Sequence, residues 1–331
     1  MGQYQYLLAP HKVVVGTLCR NTKENIFGVS DWQGRNHFDI DILVMQRFMF
    51  EDVANGIPQA IANGQIILQD VDDWYWGLAR SNKAWKYGHP NYDKTQNRVH
   101  YAKTLQRSTA VMSSTPHLTT LLSGFVKVPI ETITNYVDPA RFTRREHKDT
   151  DTPIVGWVGS TAHRSGDLEI LKPVLPKFVR SGKVQLHHSG HVMNDPTFPV
   201  MAHMVGLTED EVSVRLMEPP ATYGKLMCFD IGIVPLTEIP FNRAKSYIKG
   251  LEYAAAGIPF IASPLDAYID LYENYGIGRI AKKSSHWDGC IKDLMNWETR
   301  AEEAATNFER LAPFNIKVGA QKLREYFESF V

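Results

Sequence analysis

The sequence has few cysteines, no long apolar run and no signal peptide. Its 331 residues contain three cysteines, Cys19, Cys228 and Cys290, which are widely spaced and form no CxxC pair. This usage is typical of reduced thiols in a cytosolic protein and excludes a disulfide framework. No stretch approaches the roughly 18 apolar residues that a membrane-spanning helix needs, and the start MGQYQYLLAPHK lacks the basic and apolar regions of a signal peptide. We therefore predict a cytoplasmic protein without stable membrane insertion.

Neither sign of charge is in excess. The chain has 36 Lys and Arg residues against 36 Asp and Glu residues, so its formal net charge is zero. A balanced chain creates no global field that recruits polyanions or membranes. The balance still allows a local basic stripe, formed by Arg141, Arg144, Arg145 and Lys148. Composition thus gives nucleic-acid binding no support and does not exclude it.

Several catalytic signatures are also missing. Gly16 is the single glycine after the predicted strand at 12–18, so no GxGxxG fingerprint is present and a dinucleotide oxidoreductase is disfavoured. Gly16 could instead let the backbone approach a ligand. GxSxG is absent, and no cysteine has a catalytic context. His187, His188 and His191 form HHxxH, which lacks the HExxH glutamate and a fourth ligand, so we expect no metal.

The organisation of the chain is that of an α/β protein. Short strand-like runs alternate with longer helical patterns, which is typical of βα units and a mostly parallel sheet. The charged, proline-bounded segment from Asp138 to Pro153 breaks this pattern and is typical of a linker. We predict a first domain over 1–150 and a second over 151–315. Two such domains imply a cleft, where ligands bind outside the carboxyl ends of strands. Predicted strands of the first domain lie at 12–18, 40–46, 65–69, 109–112 and 131–134.

The segment FNRAKSYIKGLEYAAAGIPFIAS, residues 241–263, is the most specific in the chain. It predicts a loop, a helix that stops at Gly257 and a strand. Lys245, Ser246 and Lys249 cluster at the start of this helix, where cations oppose the helix dipole unless an anion such as a diphosphate binds. Glu252 could accept the paired hydroxyls of a ribose. The alternative is a surface helix with a solvated glutamate.

This segment resembles the donor-binding segment of GT-B glycosyltransferases of the family 4 type, in the variant with a KSxxKxLEYAAxGxP pattern. PIVGWVGSTAHRSGDLEIL is similar to the opening of that family's C-terminal domain, and ITNYVDPARF and QDVDDWYW resemble elements further upstream. The resemblance implies two Rossmann-like domains that face a cleft, with a C-terminal helix over 316–331 packing back on the first domain. It also implies sugar transfer from a UDP- or GDP-sugar, without a metal or other cofactor and with retention of configuration.

The resemblance further implies a role for individual residues of the second domain. The backbone amides of Gly159 and Ser160 would approach the donor phosphates, and Arg164 would stabilise the leaving diphosphate. The loop at 217–219 would contact the nucleobase. Ala244 stands where the family has the first acid of its E-x7-E motif, which contacts the donor sugar. The implied donor-site residues are Gly159, Ser160, Arg164, Glu218, Pro219, Lys245, Ser246, Lys249 and Glu252, with Arg164 and Lys245 catalytic.

Acidic residues follow the predicted strand at 65–69 and so lie at its carboxyl end. One of Asp70, Asp72 and Asp73, for which we choose Asp73, could orient or deprotonate an acceptor, with Asp72 beside it in the cleft. The alternative is that these acids cap the next helix. The aromatic run at 74–76 could stack on an acceptor or pack in the core.

The sequence therefore predicts a glycosyltransferase of a bacterial or phage type. Its acceptor is left open between a polysaccharide, a protein and a modified DNA base. One alternative is a GT-B scaffold with weak turnover, which the missing acid at Ala244 suggests. Another is a nucleotide-sugar epimerase, which would use the same donor pocket without a second substrate.

Overall fold

The computed structural model describes residues 8–82, 85, 97–150, 152–161, 166–191 and 200–331. The chain divides into two compact units. The first unit consists of Met1–Leu78, Ala84–Asn135 and Ile316–Val331, and the second of Ala79–Lys83 and Tyr136–Asn315. Each unit contains a parallel sheet with helices packed against it.

The first unit contains two sheets. In chain order, its described strands and its helices before residue 135 are β1 (Gly16–Asn21), β2 (Ile26–Asp31), β3 (Asn36–His37), β4 (Ile42–Gln46), α1 (Glu51–Ala62), β5 (Ile66–Val71), α2 (Asn97–Arg107), β6 (Ala110–Ser113), α3 (Pro116–Ser123) and β7 (Ile130–Thr132). The parallel sheet has the order β4-β5-β6-β7, and the other sheet has the order β1-β2-β3. The four strands predicted from 40–46 onward are confirmed, each within two residues.

The strand predicted over 12–18 is wrong. The strand that forms there begins at Gly16 and pairs antiparallel with β2 in a hairpin. Turn chemistry explains the difference, because Asn25 adopts a positive φ of 53° and the Asn21 side chain accepts backbone hydrogen bonds within the turn. A Cβ atom on Gly16 would lie 1.9 Å from the Ser30 carbonyl oxygen, so this glycine allows the hairpin to pair. Gly16 begins a strand and does not follow one, which removes the basis for its predicted cleft role.

The second unit is built on a six-stranded sheet in which neighbouring strands run parallel. The strand order β10-β9-β8-β11-β12-β13 makes β8 and β11 central. Both are buried along most of their length because helices cover both faces. Its strands and helices are β8 (Ile154–Val158), α4 (Leu175–Arg180), β9 (Gln185–His191), α5 (Met201–Val205), β10 (Val212–Leu216), β11 (Ile231–Val234), α6 (Pro240–Arg243), α7 (Ile248–Ala255), β12 (Phe260–Ala262), α8 (Asp266–Tyr275), β13 (Arg279–Ile280), α9 (Ser284–Met295) and α10 (Trp297–Glu309).

The segment singled out in the sequence folds as a loop, a helix and a strand. Helix α7 begins at Ile248, so Lys245 and Ser246 precede it and do not lie in its first turn. Gly257 ends the helical stretch with a positive φ of 67°, as the sequence predicts. Leu251 packs in the core beneath the helix.

The last helix, α11 (Ile316–Glu328), returns to the first unit. Its Leu323 joins a core cluster with Leu8, Leu68 and Met112. None of the helices described is both long enough and apolar enough to cross a membrane.

Candidate functional site

The candidate donor site begins at the glycine turn after β8. Gly159 has a φ of +147°, a conformation that residues with side chains rarely adopt. A Cβ atom there would lie 3.0 Å from the Trp157 ring. Gly190, at the end of β9, also has a positive φ, and its own Cβ would lie 3.2 Å from the Gly159 nitrogen. Two glycines thus bring the ends of neighbouring strands into close approach, and Ser160 follows half-buried.

A buried histidine holds this turn. The Nε2 of His188 donates to the Gly159 carbonyl oxygen at 2.9 Å, which places a proton on Nε2 because a carbonyl only accepts. Burial, followed by the charges of His191 and Lys249, lowers the pKa of His188 to about 4. The imidazole therefore stays neutral at physiological pH. Its ring also lies 5.1 Å from that of Trp157.

Helix α7 brings a cation to the same turn. The Lys249 ammonium donates to the Val158 carbonyl oxygen at 2.6 Å and lies 4.7 Å from the centre of the Trp157 ring. A Cβ atom on Gly159 would lie 3.3 Å from this ammonium. The structure therefore places a positive charge directly beside the glycine turn, at the carboxyl end of a central strand.

Glu252 lies further along α7. Its Oε2 accepts a hydrogen bond from the Tyr223 hydroxyl at 3.1 Å. Burial raises the pKa of Glu252 to about 7, while the Tyr223 hydrogen bond and the charges of Lys249 and Arg141 oppose the rise. The carboxyl is therefore poised between its neutral and ionised forms near neutral pH.

The loop after β10, which is predicted to contact a nucleobase, contains Glu218 and Pro219. Glu218 accepts a hydrogen bond from the Thr222 hydroxyl at 2.7 Å. The carbonyl oxygen of Pro219 accepts from the Thr222 backbone N–H at 2.9 Å. Tyr223, the partner of Glu252, follows directly, so this loop and α7 meet in one place.

Lys245 and Ser246 lie half-buried in the loop between α6 and α7. The Lys245 ammonium lies 4.3 Å from the centre of the Phe241 ring. This loop is held by a buried carboxylate, because Asp167 Oδ1 accepts from the Thr237 backbone N–H at 2.9 Å and from the Asn242 amide at 2.7 Å. The predicted catalytic residue Arg164 lies outside the described residues.

A second polar cluster lies in the first unit, at the adjacent carboxyl ends of β4 and β5. Arg47 has a positive φ of 64°, which is strained for a residue with a long side chain. Its guanidinium donates to Asp72 Oδ2 at 2.7 Å, and the Tyr75 hydroxyl donates to Asp72 Oδ1 at 3.2 Å. Burial, followed by the charge of Asp72, raises the pKa of Asp70 to about 6.

The chosen acid, Asp73, forms the next turn, where its carbonyl oxygen accepts from the Tyr75 N–H at 3.1 Å. The helix that follows is a 3₁₀ helix over Tyr75–Gly77, whose N-cap residue Trp74 makes no side-chain cap hydrogen bond, and capping by the neighbouring acids stays a prediction. The aromatic residues pack with one another, since Trp76 lies 5.1 Å from Tyr101 and 5.0 Å from Trp74 between ring centres. Across the described part of the chain, no group of three or more His, Cys, Asp or Glu residues is arranged to hold a metal ion.

No protein-family model and no curated protein matches the sequence. Solved structures do match. Sucrose-phosphate synthase from Thermosynechococcus elongatus superposes with a TM-score of 0.64 and 14% identity, covering 88% of this chain and 74% of that enzyme. HepE from Anabaena, in complex with UDP, gives a TM-score of 0.59 and 13% identity over 88% of this chain and 79% of HepE. The fold is GT-B.

A further GT-B match is α,α-trehalose 6-phosphate synthase from Burkholderia multivorans, with a TM-score of 0.58 and 11% identity over 87% of this chain and 72% of that chain. These likenesses confirm the predicted fold class of two Rossmann-like units. At sequence identities this low, the matches show the fold alone, so the predicted site residues remain predictions.

Sequence reasoning assigned no role to three residues of the two polar clusters, namely Arg47, His188 and Asp167. Arg47 directly follows β4, so the rule that located the acids after β5 would also have found it. His188 appeared in the sequence only as part of HHxxH, and Asp167 gave no local signal. The partners of both are distant in sequence, 29 residues away for His188 and 70 or more for Asp167.

Proposed function

We propose that the chain is a glycosyltransferase of the family 4 type, which moves a sugar from a nucleoside diphosphate sugar to an acceptor hydroxyl. One observation carries the proposal. Helix α7 holds both Lys249, which lies against the glycine turn after β8, and Glu252, which lies against the loop after β10. A cation beside a glycine turn suits a diphosphate, and a carboxylate suits the paired hydroxyls of a ribose.

The structural neighbours support this proposal. HepE from Anabaena has been solved with UDP, with UDP-glucose, and with UDP and glucose. Another neighbour is a glycosyltransferase from Rickettsia africae. A shared GT-B fold with such proteins favours a nucleotide sugar, UDP- or GDP-linked, as the donor here.

In the proposed reaction, the enzyme stabilises the negative charge that develops on the departing diphosphate. Backbone amides of Gly159 and Ser160 approach the phosphates, and Lys245, Ser246 and Arg164 complete their surroundings. Preorganised donors of this kind contribute about 3 to 4 kcal/mol each to transition-state stabilisation. Side chains and backbone amides then stabilise this charge without a metal ion. The acceptor hydroxyl attacks the sugar on the face from which the diphosphate leaves, so the anomeric configuration is retained.

The acids of the first unit are the proposed acceptor side. Asp73 orients the acceptor hydroxyl, while Arg47 fixes Asp72 beside it. Asp70, whose pKa is raised to about 6, is able to exchange a proton near neutral pH. The acceptor itself is a polysaccharide, a protein or a modified DNA base.

One observation favours a second candidate function. Ala244 is fully buried, so its position presents no acid to a donor sugar. A GT-B protein that binds nucleotide sugars with little turnover would fit this feature. Product analysis separates the two and also identifies an epimerase, which would convert the donor sugar without an acceptor.

The first experiment is a thermal-shift panel with UDP, GDP, ADP, CMP and NAD. A ligand at about 100 times its dissociation constant stabilises the folded state by about 2.7 kcal/mol. We expect one nucleoside diphosphate to raise the melting temperature of the wild type and not of Lys245→Ala. The matched control is Lys282→Ala, an exposed lysine of the same unit, which should respond like the wild type. A response to NAD alone, or to no nucleotide, would contradict the proposal.

A further inference from the structure

A groove of about 780 Å³ lies on the second unit. Its wall includes Ile154 and Gln185, the first residues of β8 and β9, and Asp230, which directly precedes β11. The groove therefore lies at the amino-terminal ends of these strands. The glycine turn of the donor site lies at the carboxyl end of β8, about 16 Å away for a strand of this length. The segment after β10 contributes to both sites, with Tyr223 in the donor site and Lys225 in the groove wall.

The groove is basic although the chain is neutral. Among the described residues of its wall, the cations are Arg144, Arg145, Lys148, Arg215 and Lys225, and the acids are Glu146 and Asp230. Both acids are paired within the groove, Glu146 with Lys148 at 3.2 Å and Asp230 with Arg145 at 3.0 Å. Within the described part of the chain, the other three cations have no carboxylate partner.

Two of these three cations are held in place by other contacts. The Arg144 guanidinium lies 4.1 Å from the centre of the Phe308 ring. Arg215 donates to the Lys225 carbonyl oxygen at 3.0 Å and to Cys228 Sγ at 3.4 Å. Guanidinium groups that are already positioned lose little side-chain entropy on binding and match phosphate oxygens in geometry.

The third cation, Lys225, is exposed. The three cations come from separate segments of the wall, namely the stretch before β8, strand β10 and the loop after it. Cations that are distributed in this way suit a polymer with several phosphates better than a ligand with a single phosphate. Thr150, Thr152 and Gln185 add neutral hydrogen-bond donors to the same wall.

We propose that this groove binds a polymer of phosphodiesters. Three of the four residues of the basic stripe in the sequence, Arg144, Arg145 and Lys148, line it. The inference goes beyond the proposed glycosyl transfer and requires no sugar donor. Phosphodiester binding by the groove and glycosyl transfer can therefore be tested separately, and either proposal can fail without the other.

The test measures binding of the full chain to a fluorescent single-stranded oligonucleotide of twenty thymidines by anisotropy. Three neutralised phosphates predict that the logarithm of the association constant falls with the logarithm of salt concentration with a slope of about −2. Lys225→Glu should weaken binding at least fivefold and reduce the slope by about 0.7. The matched variant Lys282→Glu, with the same charge change at an exposed site outside the groove, should bind like the wild type.

A second arm uses poly(glycerol phosphate) as competitor. Displacement of the oligonucleotide supports recognition of the phosphodiester backbone alone. Binding of the oligonucleotide without displacement supports the groove with a contribution from the nucleotides. The proposal is overturned if the wild type does not bind, if binding is independent of salt, or if Lys282→Glu weakens it as much as Lys225→Glu does.

Discussion

Glu252 is the residue whose charge state matters most to the proposed donor site. Its pKa of about 7 results from burial, opposed by Tyr223, Lys249 and Arg141. Ribose hydroxyls donate to the ionised carboxylate, so donor affinity should rise as the pH rises through 7. Between about pH 6 and pH 8 the ionised fraction grows about tenfold, so the dissociation constant measured by calorimetry should fall up to about tenfold.

The ligand for this measurement is the nucleotide sugar that the thermal-shift panel selects, because its diphosphate diester does not titrate in the same range. Glu252→Gln keeps the shape of the side chain and removes its titration. We expect this variant to bind weakly and without pH dependence. If it kept the pH dependence of the wild type, the titrating group would be another residue and Glu252 would lose its role.

Single residues were predictable from the sequence where chemistry is local. Lys249 and Glu252 lie three positions apart, so one stretch of sequence reveals both. Asp167 gave no such signal, because its partners Thr237 and Asn242 lie 70 and 75 residues away. Which residues meet over such separations is decided by tertiary packing, and a single sequence does not encode it in any local pattern.

At the scale of elements, the turn after β8 depends on glycine for two reasons. Gly159 has a φ of +147°, and a Cβ there would press on Trp157 and Lys249. We expect Gly159→Ala to destabilise the second unit by about 1 to 3 kcal/mol and to abolish nucleotide binding. Denaturant unfolding and the thermal-shift panel measure the two effects.

Gly182 provides the matched control. It lies in the turn after α4 with a φ of +68°, and nothing lies within 4 Å of its missing Cβ. Gly182→Ala should therefore cost only the backbone strain, about 1 to 2 kcal/mol, and leave nucleotide binding intact. Equal nucleotide affinity in the two alanine variants would show that the Gly159 turn does not contact the donor.

Elements were predictable to the extent that hydrophobic periodicity defines them. The buried runs at 40–46 and 65–69 formed neighbouring parallel strands, as expected. The run at 12–18 failed because periodicity does not reveal the partner of a strand. The partner was set by the turn at Asn21 and Asn25, which folds β1 back on β2. Similarly, helical spacing located α7 but not its first residue.

At the scale of the whole molecule, alternation of strands and helices was enough to predict a two-unit α/β fold. The composition of each unit was harder to predict, because the first unit is discontinuous in sequence. Its core needs α11, which enters after the entire second unit. The family resemblance implied that 316–331 packs back on the first domain, but the residues of α11 contain no local signal for the surface that the helix covers.

This discontinuity makes Leu323 a test of how the molecule is assembled. Leu323 is buried in a cluster with Leu8, Leu68 and Met112 of the first unit. Leu323→Ala removes that packing and should cost about 2 to 5 kcal/mol. We expect faster hydrogen exchange in β5 and β6, measured by mass spectrometry.

The neighbouring exposed variant Gln321→Ala should leave exchange unchanged, since it loses only a surface hydrogen bond to Glu325. The strands of the second unit should keep their protection in both variants, because Leu323 belongs to the core of the first unit alone. The nucleotide response of the thermal-shift panel should persist for the same reason. Loss of protection in β8 and β11 of Leu323→Ala would instead mean that the two units unfold as one, and that α11 stabilises the donor site through the first unit.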